Sequence, residues 1–206
     1  MNGKNKRANN MSKFLQKYRI FDMMTIAVMA ALGIAIKPIV TPIAQIFGGP
    51  FMILGGAVAG GLYMMWLVIG YGIVGKPGTA TLIGLVQALF VMFSGSVGSH
   101  GILSLITYLA PGIVMDLVLL LIKHRVCCRF CSIIAGASAN VTGIICVNLL
   151  FFHAPALYLV LTLFLAALSG GICGAIAWEL IKILNKYHII NKRNPRHKKD
   201  FERQSL

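Results

Sequence analysis

Along the chain, apolar residues gather into six blocks, at approximately 21–36, 50–74, 79–94, 101–122, 131–152 and 156–181, divided by charged or Pro/Gly-rich interruptions. The blocks have the scale of a bilayer span, roughly 18 residues or more, with the first one short. None alternates apolar with polar positions as a barrel strand does. Backbone N–H and C=O groups cannot go unpaired in hydrocarbon, so each block is expected to be a helix. The pattern predicts an all-α integral membrane protein of six transmembrane helices. Its domain organisation reads as a basic tail at 1–20, a six-helix membrane domain at 21–184 and a second basic tail at 185–206.

Composition agrees with this solvent. Of the 206 residues, 58% are hydrophobic and 12% charged, against about a quarter charged in soluble domains, and mean hydropathy is +0.82. The net charge of +14 would suggest nucleic acid in a soluble protein, but the positions of the charges argue otherwise. Six basic residues precede the first block (Lys4, Lys6, Arg7, Lys13, Lys17, Arg19). Eight close or follow the last (Lys182, Lys186, Lys192, Arg193, Arg196, Lys198, Lys199, Arg203), and Lys76, Lys123, Arg125 and Arg129 fall in the turns on the same side. That arrangement puts 18 of 19 Lys and Arg on one face and leaves Lys37 alone on the other. The positive-inside rule then predicts both termini in the cytoplasm, with the tails against anionic headgroups. No small-residue cleavage pattern follows Ala35, so a signal peptide is not expected.

Five cysteines, three of them in the basic segment holding Cys127, Cys128 and Cys131, do not suggest a disulfide framework in a cytoplasmic setting. Cys128 and Cys131 have a spacing that metals use, although one such pair makes no site. No metal or cofactor is expected. The connection Lys37–Pro50 is apolar but carries three prolines and a Gly-Gly pair, which predicts a non-helical segment at the membrane surface, either a rigid connector or a lid. In the first block Ala27, Ala31 and Ala35 share one nearly flat face, which allows close approach of another helix, internal or from a second subunit.

Polar residues inside the blocks are few. Asp116 stands out as either a buried ligand group or the partner of a snorkelling base, whereas Glu179 has Lys182 one turn away. Pro111-Gly112 is expected to bend the fourth span between Tyr108 and Asp116. Gln87, Tyr108, Asn140, Asn148 and Tyr158 can hydrogen-bond a polar ligand, and Trp66 can stack on a ring. The candidate ligand contacts are Gln45, Tyr108, Asn148 and Tyr158, with Thr107 and Asn140 deeper and Asp116 as the available charge. His100 and His153 fall in outer loops. Catalytic and nucleotide-binding signatures are absent from the sequence. An integral membrane enzyme using Asp116 and a histidine would need groups from opposite faces, and a stand-alone carrier or channel is a further alternative.

The short chain, six spans, alanine-spaced first helix and first outer connection resemble the S components of energy-coupling-factor (ECF) transporters. Gly75-Lys-Pro-Gly-Thr-Ala80 before the third span and Pro111-Gly-Ile-Val-Met-Asp116 in the fourth look like the S-component family assigned to hydroxymethylpyrimidine and thiamine. The resemblance implies a subunit that captures a vitamin or vitamin precursor from outside. Its partners would be a transmembrane T subunit, docking on Ala27, Ala31 and Ala35, and two cytoplasmic ATPases. Where such proteins carry an acidic residue in the third span, this chain has a neutral one, Gly84 or Gln87 depending on alignment. With Asp116 paired to a base, a neutral pyrimidine would suit the amide-rich helices better than a thiazolium.

Overall fold

The computed structural model describes residues 18–48, 52–94, 103–122, 126, 128–153 and 155–186. They form α1 (Ile20–Ala35), α2 (Lys37–Gly48), α3 (Met52–Val74), α4 (Thr79–Ser94), α5 (Leu103–Leu121), α6 (Arg129–Val147) and α7 (Ala156–Lys186), and α6 runs on into a π-helical turn, Asn148–Phe152. Among the described residues there is no strand. The six apolar blocks correspond to α1 and α3–α7. By length and composition α1 with most of α2, α3, α6 and α7 are each sufficient to cross a membrane, and α4 and α5 are shorter apolar helices.

The expectation for 37–50 is corrected: α2 is a helix, from Lys37 to Gly48, with Pro42 inside it. Pro38 sits in its first turn, where an N–H has no intrahelical acceptor to lose. Pro42 forfeits one bond on an exposed face, a cost that a short surface helix tolerates. Only a turn at Ile36 separates α1 from α2. Similarly, α5 stays helical through Pro111.

Helix α3 is the centre of the bundle. It packs on α1, α2, α4, α6 and α7, while α4 pairs with α1 and α5, and α6 with α5 and α7. Leu67, Val68 and Ile69 of α3 lie in the core with Ile83, Met115, Leu119, Ala135, Ala139, Ala177 and Ile181. The outer surface is apolar as well: Phe93 is 88% exposed and Leu157 87%, as expected where lipid replaces water.

Lipid tails give no hydrophobic drive for one helix to join another, so close approach carries the packing. Helices α6 and α7 meet through backbone: a Cβ on Gly136 would strike the Gly170 carbonyl, one on Gly170 the Gly136 carbonyl, and one on Gly174 the Ser132 carbonyl. Gly84 and Gly112 do the same between α4 and α5, against the carbonyls of Tyr108 and Ala80. By contrast Ala27, Ala31 and Ala35 are all exposed. The inward side of α1 is Thr25, Ile26, Ala30 and Gly33, so the alanine face is not buried within this chain.

Candidate functional site

At the end of the bundle that carries Lys76, the turn after α3 is built for reversal. Gly75 (φ 64°) and Gly78 (φ 93°) occupy left-handed backbone, and Gly75 N–H closes α3 on the Tyr71 carbonyl at 2.8 Å. Asp116 reaches this turn from α5. Its Oδ1 accepts from Gly78 N–H (3.1 Å) and its Oδ2 from Thr81 N–H (2.8 Å) and the Thr81 hydroxyl (2.6 Å). The carboxylate therefore caps the N-terminus of α4, whose first N–H groups lack intrahelical acceptors and whose dipole favours an anion. The two alternatives read from the sequence for Asp116, ligand group or partner of a base, do not include this cap.

Around it, Lys76 pairs with Asp22 at 2.6 Å, and the Tyr18 hydroxyl donates to the Pro77 carbonyl at 2.8 Å. Burial pushes the Tyr18 phenol above its ordinary value of 10.0, so it stays a donor at neutral pH. Together these contacts tie the start of α1, the α3–α4 turn and α5 into one unit. Glu179 is exposed on α7.

Asn140, 1% exposed, is also structural. Its Nδ2 donates to the carbonyls of Ala57 and Ala166, each at 2.9 Å, and its Oδ1 lies where a Cβ on Gly60 would sit. It clamps α6 to α3 and α7. Asn148 is buried at the start of the π-helical turn, whose end is set by His153 in left-handed backbone (φ 46°) with its N–H on the Asn148 carbonyl at 2.9 Å. Tyr158 is half-buried in the first turn of α7, and Thr107 is half-buried beside Tyr108. Gln45 belongs to α2; its side chain, His100 and Cys127 lie outside the described residues.

The chemistry that converges is at the α2 end. The Lys37 ammonium, at the start of α2, donates to the Tyr108 hydroxyl on α5. It lies 3.9 Å from the centre of the Tyr108 ring and 5.0 Å from that of Tyr63 on α3, an aromatic cage around a cation. The Tyr63 hydroxyl shares a 2.9 Å hydrogen bond with Thr41 of α2. One turn further along α3, Trp66 has its indole Nε1 buried with no hydrogen-bond partner among the described residues, although such groups normally find one. Gly33 of α1 lies against both Trp66 Cβ and the Gln87 amide, whose Nε2 fills the space a side chain there would take. Gln87 itself is 5% exposed.

Helices α2, α3, α4 and α5 thus supply a cation, two phenols, an indole N–H and an amide, with Gly33 of α1 alongside. Among the described residues, the three carboxylates, Asp22, Asp116 and Glu179, stand elsewhere, and no group of three or more His, Cys, Asp or Glu is placed to hold a metal ion. Of the sequence candidates, Tyr108 belongs to this cluster, and Trp66 and Gln87 border it. Lys37, Tyr63 and Thr41 were not candidates. Lys37 did leave a signal, as the lone base on the face the positive-inside pattern otherwise keeps free of charge.

Comparison with known proteins agrees with a transport fold. The family described as ABC-type cobalt transport system, permease component, matches residues 21–142. A crystal structure of an S-component of an ECF transporter superposes with a TM-score of 0.75 at 17% identity, covering 91% of this chain and 96% of that one. No curated protein matches.

Proposed function

Because the chain belongs to the family of permease components of ABC-type cobalt transport systems, it is a multi-pass membrane component of a transporter and not an enzyme, and we propose that it is the substrate-capturing S component of an ECF-type importer. The reading is supported by the whole-chain likeness to an S-component fold and is carried by one observation, the aromatic and amide cluster beneath α2. Helix α2 holds the cluster through Lys37 on Tyr108 and Thr41 on Tyr63, so it acts as the lid over a site that opens outward. Both termini and the Lys76 turn lie in the cytoplasm, as the basic residues indicate. The exposed face of Ala27, Ala31 and Ala35 is the docking surface for a transmembrane T subunit, which works with two ATPases.

The cargo we assign is a small vitamin precursor of the hydroxymethylpyrimidine kind. Ring faces from Tyr63 and Tyr108, an indole N–H with no acceptor among the described residues and a buried amide suit a neutral aromatic heterocycle with ring-nitrogen and hydroxyl acceptors. A thiazolium would meet the Lys37 ammonium, with no described carboxylate beside it. Of the residues named from the sequence, Tyr108 is retained as a contact, with Thr107, Asn148, Tyr158 and Gln45 as further lining. Asn140 and Asp116 are assigned to the framework.

Cobalt is the second reading, favoured by the family description. Native mass spectrometry of the purified protein, then calorimetry with hydroxymethylpyrimidine, thiamine and Co²⁺, separates the two. Tight binding of the pyrimidine without ATP is the expected result. Stoichiometric Co²⁺ binding with no organic ligand would overturn it.

A further inference from the structure

The segment joining α5 to α6 contains a second piece of chemistry, unrelated to the cluster beneath α2. Cys128 is the N-cap of α6, with its Sγ accepting from Cys131 N–H at 3.4 Å. One turn on, the Cys131 Sγ comes to 2.8 Å from the Cys128 Sγ. Both are thiols, not disulfide-bonded, and they differ in access: Cys128 is partly exposed, and Cys131 is 6% exposed. Val126, two residues before Cys128, is anchored in the core, and Ser132, next to Cys131, lies fully buried where α6 meets α7. The pair is thus fixed on both sides.

The separation decides between the two uses of a Cys-x-x-Cys pair. Two thiolates on one tetrahedral metal, each about 2.3 Å from it, stand about 3.8 Å apart. A disulfide needs the sulfurs at about 2.05 Å. At 2.8 Å the two thiols are in direct contact, one donating to the other, and need only a small movement to reach bonding distance. An accessible first cysteine and a buried second one is also the arrangement of an attacking and a resolving thiol.

We propose that Cys128 and Cys131 form a reversible intramolecular disulfide under peroxide. The Cys128 sulfur attacks one peroxide oxygen, the O–O bond breaks, and water leaves with Cys128 as a sulfenic acid. The Cys131 sulfur then attacks the Cys128 sulfur, the S–O bond breaks, and a second water leaves. Overall, two thiols and one hydrogen peroxide give one disulfide and two waters. A thiol reductant restores the pair.

The test is hydrogen peroxide treatment of the full-length protein in detergent, followed by alkylation and peptide mass spectrometry of the segment containing Cys127, Cys128 and Cys131. The expected product has lost two hydrogens, links Cys128 to Cys131, and regains both alkylation sites on reduction. The Cys127→Ser variant should behave identically, and Cys131→Ser should accumulate a dimedone-trappable sulfenic acid at Cys128. A bond to Cys127, a bond between two chains, or full alkylation of both thiols at peroxide levels that oxidise an exposed control thiol would overturn the proposal. The wild-type protein alone distinguishes these products, so the test stands even where a variant fails to fold.

Discussion

Single residues in this protein separate into those that hold the bundle and those proposed to face a ligand, and substitutions should tell them apart. Replacing Asp116 by Ala leaves the Gly78 and Thr81 N–H groups without their acceptor. Loss of that charged cap should cost about 2 kcal/mol, read as a lower unfolding temperature in detergent, with ligand affinity unchanged in the protein that remains folded. Tyr108→Phe should do the reverse: the fold persists, and because the hydroxyl that holds Lys37 of α2 is lost while the ring face stays, ligand affinity should fall about threefold to tenfold, the worth of one hydrogen bond. Equal affinity in calorimetry would show that this hydroxyl does not hold α2 over the ligand. The sequence singled out Asp116 because an ionisable group in a membrane helix is costly. It did not reveal the role, because two of the three donors are backbone N–H groups of the α3–α4 turn and the start of α4, 38 and 35 positions away, which any residue type can supply, and the third, the Thr81 hydroxyl, is one of many in the chain.

At the scale of elements, the six spans were legible because lipid leaves the backbone few options, whereas α2 was not. Rules for proline in a helix interior assume an N–H whose loss matters. Pro38 occupies a first turn and Pro42 an exposed face, so the three-proline segment hid a helix. The helix contacts were equally hidden. Alanines at regular spacing drew attention to α1, yet the chain spends its close approaches on Gly136, Gly170 and Gly174, and on Gly84 with Gly112. Gly170→Val should therefore drive α7 off α6 at both the Gly136 carbonyl and Asn140 Cβ, by backbone that cannot yield. The expected outcome is loss of folded monomer in size-exclusion chromatography, while Gly56→Val, where a Cβ meets nothing within 4 Å, should elute as the parent does. Survival of the Gly170 variant would mean that the two helices can separate without unfolding the bundle.

For the whole molecule, the surfaces proposed for ligand capture and for delivery are different ones. The cluster of Lys37, Tyr63, Trp66 and Tyr108 looks inward beneath α2, whereas Ala27, Ala31 and Ala35 look outward from α1, and the first turn of α1 is tied to the Lys76 turn through Asp22. Because a Cβ on Gly33 of α1 would meet both Gln87 and Trp66, the helix that carries the proposed docking face also borders the proposed site. On that proposal, a T subunit that moves α1 would change the site directly. Ala31→Leu adds bulk to the outer face only. In lipid, where association depends on close packing, it should abolish co-purification with the T subunit and ATP-driven uptake in proteoliposomes, while calorimetry on the isolated subunit gives the parent affinity. If uptake survives, the docking face lies elsewhere. If affinity falls together with uptake, α1 transmits in both directions even without a partner, and the outer face and the ligand wall act as one body.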